Sequence, residues 1–270
     1  MVAAILLLVL FRQQEPPKPA ARRRPHRHRK SRARRPRPPG GAHAAMPPLD
    51  RRALIDGARA SGAALAATGE LPPPDAALGG RKFAIRIPFG CNGLQIGASP
   101  SQASLSYDAD NKSMTLSAQP NVWTQLSLVQ GLPNLDDIDA VEGFWIPRPW
   151  SYSDSCPPRV EYPAVVTPTP PTAQTLGLAR FFGKGDSRVL QHADHPFTFT
   201  RKLPDGDLSA LNHGYILLLS GRIGSYQDGR ALHCWMEASD HHPICLYSVI
   251  FDHIAFEDAS TGETLAEWNE

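Results

Sequence analysis

A chain of 270 residues with 41% hydrophobic residues and a net charge of only +2 is long enough for a sizeable core and too apolar to be disordered throughout. Four cysteines are too few for a disulfide-dense miniature scaffold, so hydrophobic burial must carry most of the fold. The near-neutral charge is itself a cancellation: Arg12 to Arg37 carries twelve Lys/Arg and one acid, Glu15, while the rest of the chain holds sixteen basic and 25 acidic residues.

Met1 to Phe11 (MVAAILLLVLF) is almost wholly apolar. As a helix it would reach roughly 16 Å, about half of a hydrocarbon core. Three readings follow: the remainder of a longer membrane anchor, a signal sequence without its basic lead, or an extension upstream of a start at Met46. The arginines that follow would favour retention on the cytoplasmic side, which opposes export.

Residues 12–48 form a basic, proline-rich linker with prolines at 16, 17, 19, 25, 36, 38, 39, 47 and 48. Repelling like charges and the lack of large apolar side chains predict disorder and partial polyproline character. Such an arm is read first as a solvated spacer; the alternative is attraction to anionic lipid or an anionic polymer. No aromatics interleave the arginines, so specific nucleic-acid recognition is not expected. Leu49 to Thr68 is predicted to form a short helix, with Leu54, Ile55, Ala58 and Leu65 near one face, Asp50 capping its start and Gly69 its end. The helical segment is bounded at 49–70.

From Lys82 onward the pattern turns to strands, and 80–270 is read as a single domain. Phe83 to Ile87 alternates; Leu105 to Tyr107 and Met114 to Ser117 flank an Asp108–Lys112 turn. Further strands are expected over Val122 to Leu128, Phe144 to Ile146, Val189 to Gln191 and Phe197 to Thr200. Tyr215 to Ile223 and Ala231 to Met236 flank an Asp-Gly turn and are read as a hairpin. Ile244 to Glu257, apolar on both faces, suits a central strand, and Thr264 to Trp268 follows Thr261-Gly262. Val165 to Pro171 is read as a surface loop. The fold class is mainly β: an antiparallel β-sandwich or open barrel preceded by the helix and the disordered arm.

Cys91, Cys156, Cys234 and Cys245 contain no CxxC pair, and three connectivities are open. The pairing favoured is 91–156 with 234–245, which implies an oxidising compartment. The densest polar cluster runs from His233 to Cys245. Cys234, His241 or His242, Cys245 and His253 are the alternative zinc ligands, but the spacing fits no zinc motif, so neither metal nor cofactor is expected. Ser248 with Asp252-His253 suggests a triad, against which adjacent strand residues point to opposite faces and no GxSxG elbow exists. No catalytic residue is assigned. Asp136, Asp137, Asp139 and Glu142 precede an aromatic run, read as a solvated acidic turn before a core strand and a proline-stiffened loop that packs its tryptophans; in the alternative, carboxylates beside aromatics would suit a glycan, with Trp145, Arg148, Trp150 and Tyr152 the candidate binding residues.

The helix-and-spacer plan of the first fifty residues resembles that of TonB-type energy transducers, whose C-terminal domain has no counterpart in Lys82 to Glu270. The motifs GFWIPRPW (Gly143 to Trp150) and SCPP (Ser155 to Pro158) and the closing FDHIAFEDASTGETLAEW (Phe251 to Trp268) are similar to those of uncharacterised envelope-anchored proteins of sphingomonad-type Gram-negative bacteria. That resemblance implies a periplasmic domain, held at the inner membrane or secreted, and supplies no site residues. The expected role is a binding or structural module. The alternatives are a hydrolase acting on a cell-wall or glycan substrate and a polyanion-binding protein working through its basic arm.

Overall fold

The computed structural model describes residues 46–94, 102–132, 137–158, 175–186, 195–204 and 208–269, all within one unit, Met46–Glu270. The expectations for 1–45, for Val165 to Pro171 and for Val189 to Gln191 lie outside the described residues.

Helix α1 (Arg51–Thr68) begins at Asp50, whose carboxylate accepts from the Ala53 amide at 2.8 Å. It ends at Gly69, which is left-handed (φ +74°) and donates its amide to the Leu65 carbonyl. The strands are β1 (Lys82–Phe89), β2 (Ala103–Asp108), β3 (Ser113–Ala118), β4 (Asn121–Val122), β5 (Ile138–Trp145), β6 (Leu176–Gly183), β7 (Phe197–Lys202), β8 (Tyr215–Ile223), β9 (Leu232–Trp235), β10 (Ile244–Asp258) and β11 (Thr264–Asn269). Among the described residues β2, β3 and β7 form a small sheet, and the remaining strands form a large one ordered β1-β8-β10-β6-β5-β4. The fold is mainly β with sandwich-like packing, as the alternation and turn residues predict.

Strand β10 organises the large sheet. Its first half pairs with β9 on one side and β6 on the other; its second half pairs with β8 and β11. The β6 pairing is parallel, a departure from the all-antiparallel expectation. A register shift between Phe251 and His253 changes which residues face inward. Tyr247, Val249 and Phe251 face the main core before the shift, and Ile254 and Phe256 after it. A strict period of two would have turned Ile254 and Phe256 outward.

One core joins this face of the large sheet to α1 and to the small sheet, through Leu54, Ile55, Met114, Leu116, Phe144, Phe197 and Phe251. Alternate residues Val141, Ala179 and Leu246 build a second cluster with Trp123, Leu128 and Val129. Tight approach is needed where α1 meets β10: a Cβ on Gly57 would overlap the Tyr247 hydroxyl, which donates to the Leu54 carbonyl at 3.1 Å.

Two sequence expectations are corrected. Val122 to Leu128 is not a strand. Only Asn121–Val122 pairs with β5, and a single helical turn, α2 (Ser127–Gln130), follows. The neighbours Leu128 and Val129 are both buried, which a helical turn permits and a strand face does not. The Asp-Gly turn does form, with Gly229 donating to the Tyr226 carbonyl. Among the described pairings, however, β8 and β9 do not pair with each other; both lie against β10, end to end. The long central strand offers each a partner that the short β9 could not supply.

Candidate functional site

The chain from Pro147 to Ser155 links β5 to the first disulfide, and α1 holds it in place. Arg51 is buried to 1% exposure, although charged side chains are rarely found so deep. Its Nε donates to the Ser151 carbonyl at 2.8 Å, and its Nη2 to the carbonyls of Pro147 and Arg148. Asp154 supplies a counter-charge at 3.9 Å. Burial pulls the Arg51 pKa down and pushes that of Asp154 up, each opposed by the charge of the other. Further along the helix, Arg59 donates to the Tyr152 hydroxyl at 2.8 Å and to the Trp150 carbonyl at 3.1 Å. Tyr152 in turn donates to Asp56 at 2.5 Å, and the Arg52 guanidinium lies 4.0 Å from its ring centre. The hydrogen bond to Asp56 raises the Tyr152 pKa, because it favours the protonated phenol.

Held this way, the loop forms one wall of a groove of about 510 Å³. The other wall is the small-residue face of α1, made by Ala58, Gly62, Ala63 and Ala66. The loop contributes Pro149 and Trp150, and Pro243 and Cys245 complete the lining between the two walls. Trp150 is 55% exposed there. The small residues matter: a Cβ on Gly62 would press against Pro243 at 3.3 Å.

A second cavity, of about 100 Å³, lies between β6, the turn after β8 and β10. Phe181, Tyr226, Asp228, His233, Ser225 and Ser248 line it. Its polar atoms largely serve each other. Asp228 Oδ2 lies 3.0 Å from His233 Nε2 and accepts from Arg230, whose Nε donates to the Pro72 carbonyl. Burial alone would raise the Asp228 pKa, but the hydrogen bonds from Arg230 and His233 outweigh it and hold the carboxyl at about 2. Tyr226 donates to the Leu246 carbonyl, and burial drives its pKa well above the usual phenol range. A third crevice, of about 20 Å³ beside Glu142, is too small for more than a water.

Small-molecule sites run to about 300–1,000 Å³. By that measure the groove can hold a ligand, and the cavity beside His233 cannot hold one of ordinary size. The His233–Asp228–Arg230 cluster is a structural tie between the β8–β9 turn and the segment before β1.

The four candidate binding residues separate. Trp145 is packed on Trp123 (4.6 Å between ring centres) in the second core cluster. Arg148 sits at φ +52°, donates to the Ser155 carbonyl at 3.1 Å and shapes the loop corner. Trp150 reaches the groove, and Tyr152 is the point at which α1 grips the loop.

The disulfides are Cys91–Cys156 and Cys234–Cys245, the pairing favoured from the sequence. They mark the folded part as one that matures in an oxidising, extracytoplasmic environment. They also overturn the zinc alternative, since both sulfurs are in a bond. His253 lies against Glu267 at 3.2 Å and His241 against Glu237 at 3.5 Å, while His242 lines the groove. Among the described residues no group of three or more His, Cys, Asp or Glu is placed to hold a metal. The Ser248 triad does not assemble either: Asp252 pairs with Arg222 at 3.0 Å and His253 with Glu267. The acidic patch is split. Asp137 and Asp139 are exposed, Glu142 is buried opposite Arg180 on β6, and Asp136 lies outside the described residues.

Sequence reasoning missed Arg51, Arg52, Asp56 and Arg59. Their signal was present as charges at i, i+4 and i+7 (52, 56, 59) on a helix whose other face is apolar. It marks a polar face with something to hold. Among the described residues no helix is long and apolar enough to cross a membrane. The chain matches no protein-family model, no curated protein and no solved structure.

Proposed function

We propose that this protein is an extracytoplasmic binding module whose ligand lies in the groove between α1 and the Pro147–Ser155 loop, tethered to the envelope by its N-terminal segment. The observation that carries the reading is the groove itself. At about 510 Å³ it falls within the range of ligand sites, and a buried arginine and a tyrosine clamp fix one of its walls. A wall held by four helix side chains is preformed, so little ordering cost is left for binding.

The test fills the groove. Ala63 is exposed on its helix wall, so Ala63→Trp blocks the space without entering the core. Lipid, glycan and peptide fractions of a Gram-negative envelope are then assayed for thermal stabilisation of the two proteins. A fraction that raises the Tm of the natural protein and leaves Ala63→Trp unmoved supports the groove. Equal shifts in both place binding elsewhere and overturn it.

A further inference from the structure

The charge on the groove's walls narrows what it takes. Among the described residues that line it, only Arg59 and His242 carry a titratable or charged side chain, and both are basic. The nearest acid on the helix, Asp56, accepts from the Tyr152 hydroxyl and does not line the groove; Glu237 lies against His241. Apart from Thr175, the rest of the described lining is apolar, with Ile55, Ala58, Leu176, Pro243 and the Trp150 ring. From Ile55 to Ala66 the helix wall runs roughly 16 Å at 1.5 Å per residue. This is an apolar trough with a cation fixed on it. Arg59 is held beside Trp150 by its bonds to the Tyr152 hydroxyl and the Trp150 carbonyl, which take only two of a guanidinium's five donors.

We propose that the groove binds a single-chain anionic amphiphile, an acyl chain ending in a carboxylate, with the chain along the α1 face and the head group on Arg59. The inference rests on the groove being the binding site. Each methylene buried against Ile55, Ala58 and Pro243 adds to affinity in proportion to its area. A carboxylate accepting from Arg59 forms a charge-assisted bond at a preset position. A cationic head group of the same length meets Arg59 and is repelled.

The experiment titrates the full chain with dodecanoate, dodecanol and dodecyltrimethylammonium by calorimetry, below their micelle concentrations. Dodecanoate is expected to bind at least about tenfold more tightly than the cation. Arg59→Gln should weaken dodecanoate by about tenfold and leave dodecanol unchanged, and Arg59→Lys should restore part of the loss. Ala63→Trp should remove binding of both. Near-UV circular dichroism of each variant checks that the loop keeps its fold. Equal affinity for the anion and the cation, or no effect of Arg59→Gln, overturns the anionic class while the groove stands. Dodecanoate binding that survives Ala63→Trp belongs to the basic arm or another surface, and overturns both this inference and the groove.

Discussion

The groove along α1 and the cavity beside His233 are opposites. The cavity has the denser chemistry, with a histidine, an aspartate, two serines and a tyrosine in about 100 Å³. The groove has two basic side chains and a tryptophan in about 510 Å³. Polar residues draw attention in a sequence, yet in the cavity they bond mainly to one another and to backbone carbonyls. Buried polar groups must find partners, so a dense cluster is often what a fold needs to hold a turn. At the groove the polar work is done behind the wall, by Arg51, Asp56 and Tyr152, and the surface that lines the groove is left plain.

Three changes would break or sharpen that contrast. The largest effect is expected from Arg51→Ala. It strands the carbonyls of Pro147, Arg148 and Ser151 and leaves Asp154 without its counter-charge, and should cost about 3–5 kcal/mol in urea unfolding. A loss below about 1 kcal/mol would show that the loop does not depend on the helix. Next comes the double change Cys91→Ser with Cys156→Ser. It opens a link across 65 residues at the end of the groove loop and should cost about 2–4 kcal/mol.

The smallest effect is a pH signature. The Asp228 carboxyl is held at about 2, below an unfolded value of about 3.9. A depressed acid contributes stability above its unfolded pKa and loses it as pH falls through the folded one, so this share disappears between about pH 4 and pH 2. Asp228→Asn should flatten that part of the stability profile and leave groove binding at neutral pH unchanged. If it abolished binding instead, the cavity and not the groove would be the site.

Much of the fold was legible in the sequence because it rests on local rules. Asp50 and Gly69 cap α1 as their types dictate, the Asp108–Lys112 turn closes β2 on β3, and the two-faced apolar run of β10 marks a central strand. What was not legible depends on distant partners. The Asp-Gly turn gave no sign that β8 and β9 would each choose β10. Arg51 reaches carbonyls about a hundred positions away, and nothing near it in sequence announces them. The groove was hidden for the opposite reason: Ala58, Gly62, Ala63 and Ala66 look like ordinary helix filler until a loop comes to rest beside them. Of the aromatic run, Trp150 and Trp145 are alike by sequence, and only packing sends one to the groove and the other to the core.

The central claim is that ligands enter the groove and not the cavity. Hydrogen exchange of the full chain, with and without an envelope fraction that stabilises it, compares the two directly. The account predicts added protection in α1 from Ile55 to Ala66 and in the Ser151–Tyr152 stretch of the loop, with none at the Tyr226–Arg230 turn. Protection confined to that turn and β9, with α1 unchanged, would contradict it.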